Sequence, residues 1–126
     1  MAVLNLQIGW LAILLGLLSG AVIGMFFHQE HWLGGYDGWS RRLVRLAHIS
    51  LVGTGLLNIA YAVSLEAMSF SASPIVAGPL LIAGAAAMPT ACVICAYRKQ
   101  WWPVFTLPVT CLVLSAAEIV WRGIAP

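Results

Sequence analysis

Four apolar runs, at residues 8–27, 46–65, 74–97 and 103–121, divide the chain, with short polar segments between them. The first three hold no Asp, Glu, Lys or Arg, and the fourth holds only Glu118. Each is close to the ~20 residues that carry an α-helix across a bilayer core at ~1.5 Å per residue. The first run lacks the basic start and the small-residue cleavage site of a signal peptide, so it reads as a retained helix. The pattern predicts helices over about 4–28, 42–65, 74–97 and 103–122. The expected fold class is all-α: one polytopic transmembrane domain over residues 1–126, its four helices in an antiparallel bundle.

Composition removes the soluble alternative. The 126 residues are 62% hydrophobic and 8% charged, where soluble chains run near ~25% charged. Mean hydropathy is +0.97. The lipid bilayer is the expected solvent, and no basic stripe suited to nucleic acid is present.

Charge then orients the spans. Arg41, Arg42, Arg45, Arg98 and Lys99 fall at the first and third connections, and only Arg122 falls on the opposite side. Five against one is a positive-inside bias, which predicts that both termini lie on the non-cytoplasmic side of a bacterial inner membrane. Trp32, Tyr36, Trp39, Tyr97, Trp101 and Trp102 would form the cytoplasmic aromatic belt. The first connection, about 29–40, carries the turn signals Gly34-Gly35 and Asp37-Gly38. The second, 66–73, is short and polar, and the third is too short for anything but a tight hairpin.

Packing signals come from small residues. Ala12, Gly16, Gly20 and Gly24 recur every four residues in the first span, Ser50, Thr54, Asn58 and Ala62 in the second, and Ala83, Ala87, Ala91 and Cys95 in the third. Between helices in lipid, close backbone approach is the main source of association. These stripes predict a compact bundle with a tight interior, and one of them is also suited to a neighbouring chain. Pro79 and Pro89 are expected to break hydrogen bonds inside the third helix and Pro108 to bend the fourth, while Pro103 suits its first turn.

Several side chains have chemistry to offer. His28, His31 and His48 fall toward the cytoplasmic half, as do Cys92 and Cys95 by the direction of the third span. His28 with His48 is the pair suited to a b-type haem, with Arg41, Arg42 and Arg45 for its propionates. His28, His31, Cys92 and Cys95 are donors suited to zinc or copper. Glu118, four residues before Arg122, is either an ion site reached from outside or a plain ion pair. Trp32, Tyr36, Trp39, Arg41, Arg42 and Arg45 make the first connection a candidate docking loop.

No Ser-His-Asp set, paired carboxylates or phosphate loop is visible, which points away from catalysis. The expected function is that of a non-catalytic accessory or assembly subunit of a larger membrane complex, contacting other membrane subunits or a second copy of itself. Two alternatives stand beside it: a haem- or metal-handling redox protein using His28 and His48, and a small transporter using Pro79, Pro89 and Glu118.

Overall fold

The computed structural model describes residues 1–67 and 76–124. Most of the second connection, and residues 74 and 75 of the expected third span, lie outside the described residues. Helices run over Ala2–Met25 (α1), Trp39–Ala67 (α2), Ala77–Tyr97 (α3) and Thr106–Ile124 (α4). Single 3₁₀ segments, Trp32–Gly34 and Lys99–Phe105, lie in the first and third connections. Four helical stretches are long and apolar enough to cross a membrane, the last counted over Lys99–Gly123. Among the described residues there is no strand.

Neighbouring helices run in opposite senses. Gly9 of α1 lies beside Gly55 and Ile59 of α2, Gly16 beside Val52 and Gly20 beside His48. On α3, Leu81 meets Asn58 while Ala96 meets Ser40. Gly84 of α3 abuts Leu112 of α4, and Ala77 reaches Glu118. The packing is mainly sequential, α1 on α2, α2 on α3 and α3 on α4, with a smaller contact between α1 and α3. Among the described residues α1 and α4 do not touch. The helices therefore form an open row, with α2 and α3 inside, rather than the compact bundle that the stripes suggested.

Backbone proximity explains the α1–α2 contact. A methyl group at Gly55 would sit 2.8 Å from the Gly9 carbonyl oxygen and 2.9 Å from Ile13 Cγ1. One at Gly16 would sit 2.6 Å from Val52 Cγ2. Gly16 and Gly20 thus lie on the packing face as expected, whereas Gly24 faces open space. α1 stops at Met25, so Gly24 belongs to its last turn, beyond the α2 contact. Thr54, Asn58 and Ala62 are buried on α2, with Ser50 half-buried.

The third stripe is displaced. Ala83 is exposed and Ala87 half-buried, while Leu81, Gly84, Ala85, Ala91, Cys92, Cys95 and Ala96 are buried. Steps of three and four alternate along this face, the repeat that keeps two nearly antiparallel helices in register. A strict spacing of four drifts off it.

The prolines also differ from expectation. α3 begins at Ala77, so Pro79 sits in its first turn, where a missing N–H costs nothing. Only Pro89 is interior to α3. The 3₁₀ segment delays α4 to Thr106, which places Pro108 in the first turn of α4, where it is buried.

The glycine contacts are testable. Gly55→Val should cost about 1–3 kcal/mol by forcing α1 and α2 apart. Gly24→Ala and Gly53→Ala, which meet nothing within 4 Å, should be neutral or gain up to about 1 kcal/mol of helix propensity. Thermal unfolding in one detergent compares all three, and equal effects would remove the close-approach account.

Candidate functional site

Each span has few polar side chains, and their partners decide what is left for function. Asn5 of α1 and Asn58 of α2 are both fully buried. Asn5 Nδ2 donates to Asn58 Oδ1 at 2.8 Å and to the Gly78 carbonyl of α3 at 3.0 Å. Asn58 Nδ2 donates to the Thr54 carbonyl at 2.9 Å and the Leu81 carbonyl at 3.2 Å. One amide pair thereby ties three helices together. Asn58 was expected on a packing face. Asn5 was missed, although an amide in an otherwise apolar run was the available signal.

Glu118 closes the start of α3 from across the α3–α4 interface. Its Oε2 accepts from the backbone N–H groups of Val76, at 3.1 Å, and Ala77. Its Oε1 accepts from Arg122 Nε at 2.9 Å. A helix start carries unpaired N–H groups and partial positive charge, and a carboxylate satisfies both. These contacts occupy the acid that the sequence offered as an ion site.

At the opposite end of the molecule Arg41 plays the converse part. It was expected among the docking residues, yet it is fully buried. Nη2 donates to the Phe27 carbonyl and Nη1 to the Gln29 carbonyl, both at 3.2 Å, just past the C-terminus of α1. The guanidinium lies 4.1 Å from the Tyr36 ring centre and 5.5 Å from those of Phe27 and Trp32. The carbonyl end of a helix and aromatic faces both favour a cation. The first connection is thus wrapped around Arg41. Leu33, at φ 52°, takes a left-handed conformation to achieve the turn, and a side chain at Gly38 would strike the Leu33 carbonyl.

α2 also closes the end of α3. Trp39 Nε1 donates to the Cys95 carbonyl at 2.8 Å and Ser40 Oγ to the Ala96 carbonyl at 2.6 Å. Trp39 therefore belongs to the first turn of α2 and not to the loop. Trp32 is half-buried and stacked on Phe26 with ring centres 5.3 Å apart. Tyr36, Arg42 and Arg45 remain exposed.

His48 differs from all of these. Its Nδ1 lies 2.7 Å from the Gly16 carbonyl oxygen. A carbonyl only accepts, so Nδ1 carries the proton, and in the neutral tautomer this requires, the lone pair is on Nε2. Gly20 makes the arrangement feasible, because a side chain there would overlap the imidazole. His48 also lines a cleft of about 620 Å³ between α1, α2 and α3, whose other walls include Val44, Leu51, Pro89 and Val93.

The remaining candidates are dispersed. His28 and His31 are exposed, beyond the end of α1. His28 thus lies in the first connection, whereas His48 lies on α2 beside Gly16 and Gly20 of α1. Cys92 and Cys95 are fully buried on α3, with Cys95 packed against Leu43. Among the described residues, no three His, Cys, Asp or Glu side chains are gathered as for a metal ion. The set of His28, His31, Cys92 and Cys95 is not brought together.

No family model, curated protein or solved structure matches the chain. The site is therefore read from its geometry.

Two substitutions test the helix ties. Asn58→Leu should cost about 1–2 kcal/mol, and adding Asn5→Leu should cost less than the sum of the two singles, because they share a bond. Additive losses in detergent unfolding would contradict the coupling. Arg41→Leu should cost about 3 kcal/mol by leaving two carbonyls without their charged donor. It should also expose residues 26–38 to protease, while Arg42→Leu leaves that segment resistant.

Proposed function

We propose that this chain is a non-catalytic accessory or assembly subunit of a larger membrane complex, embedded in a bacterial inner membrane with both termini on the non-cytoplasmic side. The orientation rests on the excess of Arg and Lys at the first and third connections. The subunit reading rests chiefly on the open row of helices. Among the described residues α4 packs on no helix but α3, and α1 packs on α2 with a smaller contact to α3, so large apolar faces stay uncovered at both ends of the row.

The first connection supports the same reading. A loop held by Arg41 and its aromatic neighbours is already ordered, so a partner binding it forfeits little conformational entropy. Tyr36, Arg42 and Arg45 stand exposed on that ordered frame. Among the described residues the Arg42 side chain is engaged by Asp37 alone, at 4.0 Å, and both side chains are well exposed. Such a pair contributes little to stability, which leaves the charge free for another surface. Asn5, Asn58 and Glu118 hold helices together, an arrangement suited to a scaffold more than to turnover.

The test is isolation of the tagged chain from its own membrane in a mild detergent. A second membrane polypeptide should co-purify in fixed ratio. Joint Arg42→Glu and Arg45→Glu substitution should reduce its recovery at least tenfold, with thermal unfolding little changed. Recovery of the unsubstituted chain as a lone monomer would falsify the subunit reading.

A further inference from the structure

The cleft beside His48 carries an inference of its own, which depends on the membrane-spanning reading but not on any partner. Its walls are apolar except for His48, Ser19 and Thr90. The two hydroxyls already donate to carbonyls of their own helices, Ser19 to Gly16 at 2.8 Å and Thr90 to Ala86 at 2.7 Å. Among the described residues the Nε2 lone pair of His48 has no hydrogen-bond partner, and it is not sealed in the interior. The hydroxyl oxygens keep only acceptor capacity, so every polar side-chain function left open in the cleft is an acceptor.

A second compartment of about 390 Å³ extends the cleft along α1 and α3, sharing Leu51, Pro89 and Thr90 with it. From Ile8 to Ile23 the combined groove follows α1 for about 22 Å. Its length suits a linear hydrocarbon tail. No Lys, Arg, Asp or Glu lines either compartment. Charge complementarity therefore disfavours an anionic phospholipid head or the propionates of a haem.

We propose that this groove binds a neutral, tail-bearing hydroquinone, its phenolic hydroxyl donating to His48 Nε2 and its tail lying between α1 and α3. The proton on Nδ1 sets the selectivity. A hydroquinone has the O–H donor that a lone pair requires, whereas the oxidised quinone has only carbonyl acceptors and would leave Nε2 unpaired. An acceptor facing an acceptor gains nothing, and a buried polar group without a partner is costly. The Gly16 carbonyl and the bare surface at Gly20 hold the imidazole in the tautomer that makes the distinction.

The test is anaerobic calorimetric titration of the detergent-purified, delipidated chain with a decyl-substituted benzohydroquinone and, separately, with its oxidised quinone. Saturable binding of the hydroquinone is expected, at least tenfold tighter than that of the quinone. His48→Phe should remove that preference and weaken hydroquinone binding at least tenfold. His48→Gln, whose amide both donates to Gly16 and presents an oxygen acceptor, should restore part of it. Should His48→Phe fail to fold, Val93→Trp, at an exposed wall of the cleft, should block binding without touching the histidine. Equal affinity for the two redox forms, no saturable binding, or retained affinity in Val93→Trp would each overturn the proposal. So would a Soret band in the purified chain that vanishes with His48→Phe. Capture of a partner polypeptide is a separate readout, so either proposal can fail without the other.

Discussion

A helix that ends near a membrane leaves carbonyls and N–H groups that lipid cannot satisfy, and this constraint organises the molecule. Three helix ends are closed by side chains from elsewhere in the chain. Arg41 of α2 takes the carbonyls after α1, Trp39 and Ser40 of α2 take those at the end of α3, and Glu118 of α4 takes the N–H groups at the start of α3. In each case the sign of the side chain suits the helix end it meets. Positive charge lies at a C-terminus, negative charge at an N-terminus, and neutral donors lie on carbonyls. The closures also fix the register of neighbouring helices, because each spans two elements.

This use of polar groups limits what function can draw on. A chain with four acids and six Lys/Arg that places Glu118, Arg122 and Arg41 in structural contacts retains little for a reaction centre. The Asn5–Asn58 pair removes two more groups at the centre of three helices. Serine and threonine hydroxyls within the helices mostly bond back to their own carbonyls, as Thr54 does to Ser50 and Ser115 to Cys111. His48 stands apart because its bond to Gly16 uses one ring nitrogen and leaves the other.

The spans were legible because hydrophobic length is a one-dimensional property, and four runs of sufficient length became four helices. Helix ends were less legible. The sequence reading extended α1 to residue 28 because Phe26 and Phe27 are apolar, yet the chain turns there to bring its carbonyls to Arg41. That contact joins residues fourteen apart through a loop, and no local pattern encodes it. The same gap explains why Arg41 read as a surface charge. The α1–α2 glycine contact was readable in part, since Gly16 and Gly20 lie on it. Gly9 and Gly55 were hidden because they face each other across two helices. His48 was offered with His28 as a haem-ligand pair, which left the contact it makes on α1 unnamed. The backbone carbonyl of Gly16 receives its Nδ1.

The groove follows from the same packing that stabilises the row. Small residues draw α1 tightly onto α2, and the Asn5 amide draws the α3 backbone in at the other end of the molecule. Two helices seated closely on a third, yet joined to each other mainly near one end, leave a gap along the rest of their length. Pro89 sits beside that gap, on the stretch of α3 where the helix lacks one of its own hydrogen bonds. A larger residue at Gly20 would displace the imidazole. The absence of a side chain at that position therefore admits both the close α1–α2 crossing and the histidine laid against it. Since neither can be altered without the other, a ligand at Nε2 would be coupled directly to the tightness of the α1–α2 contact.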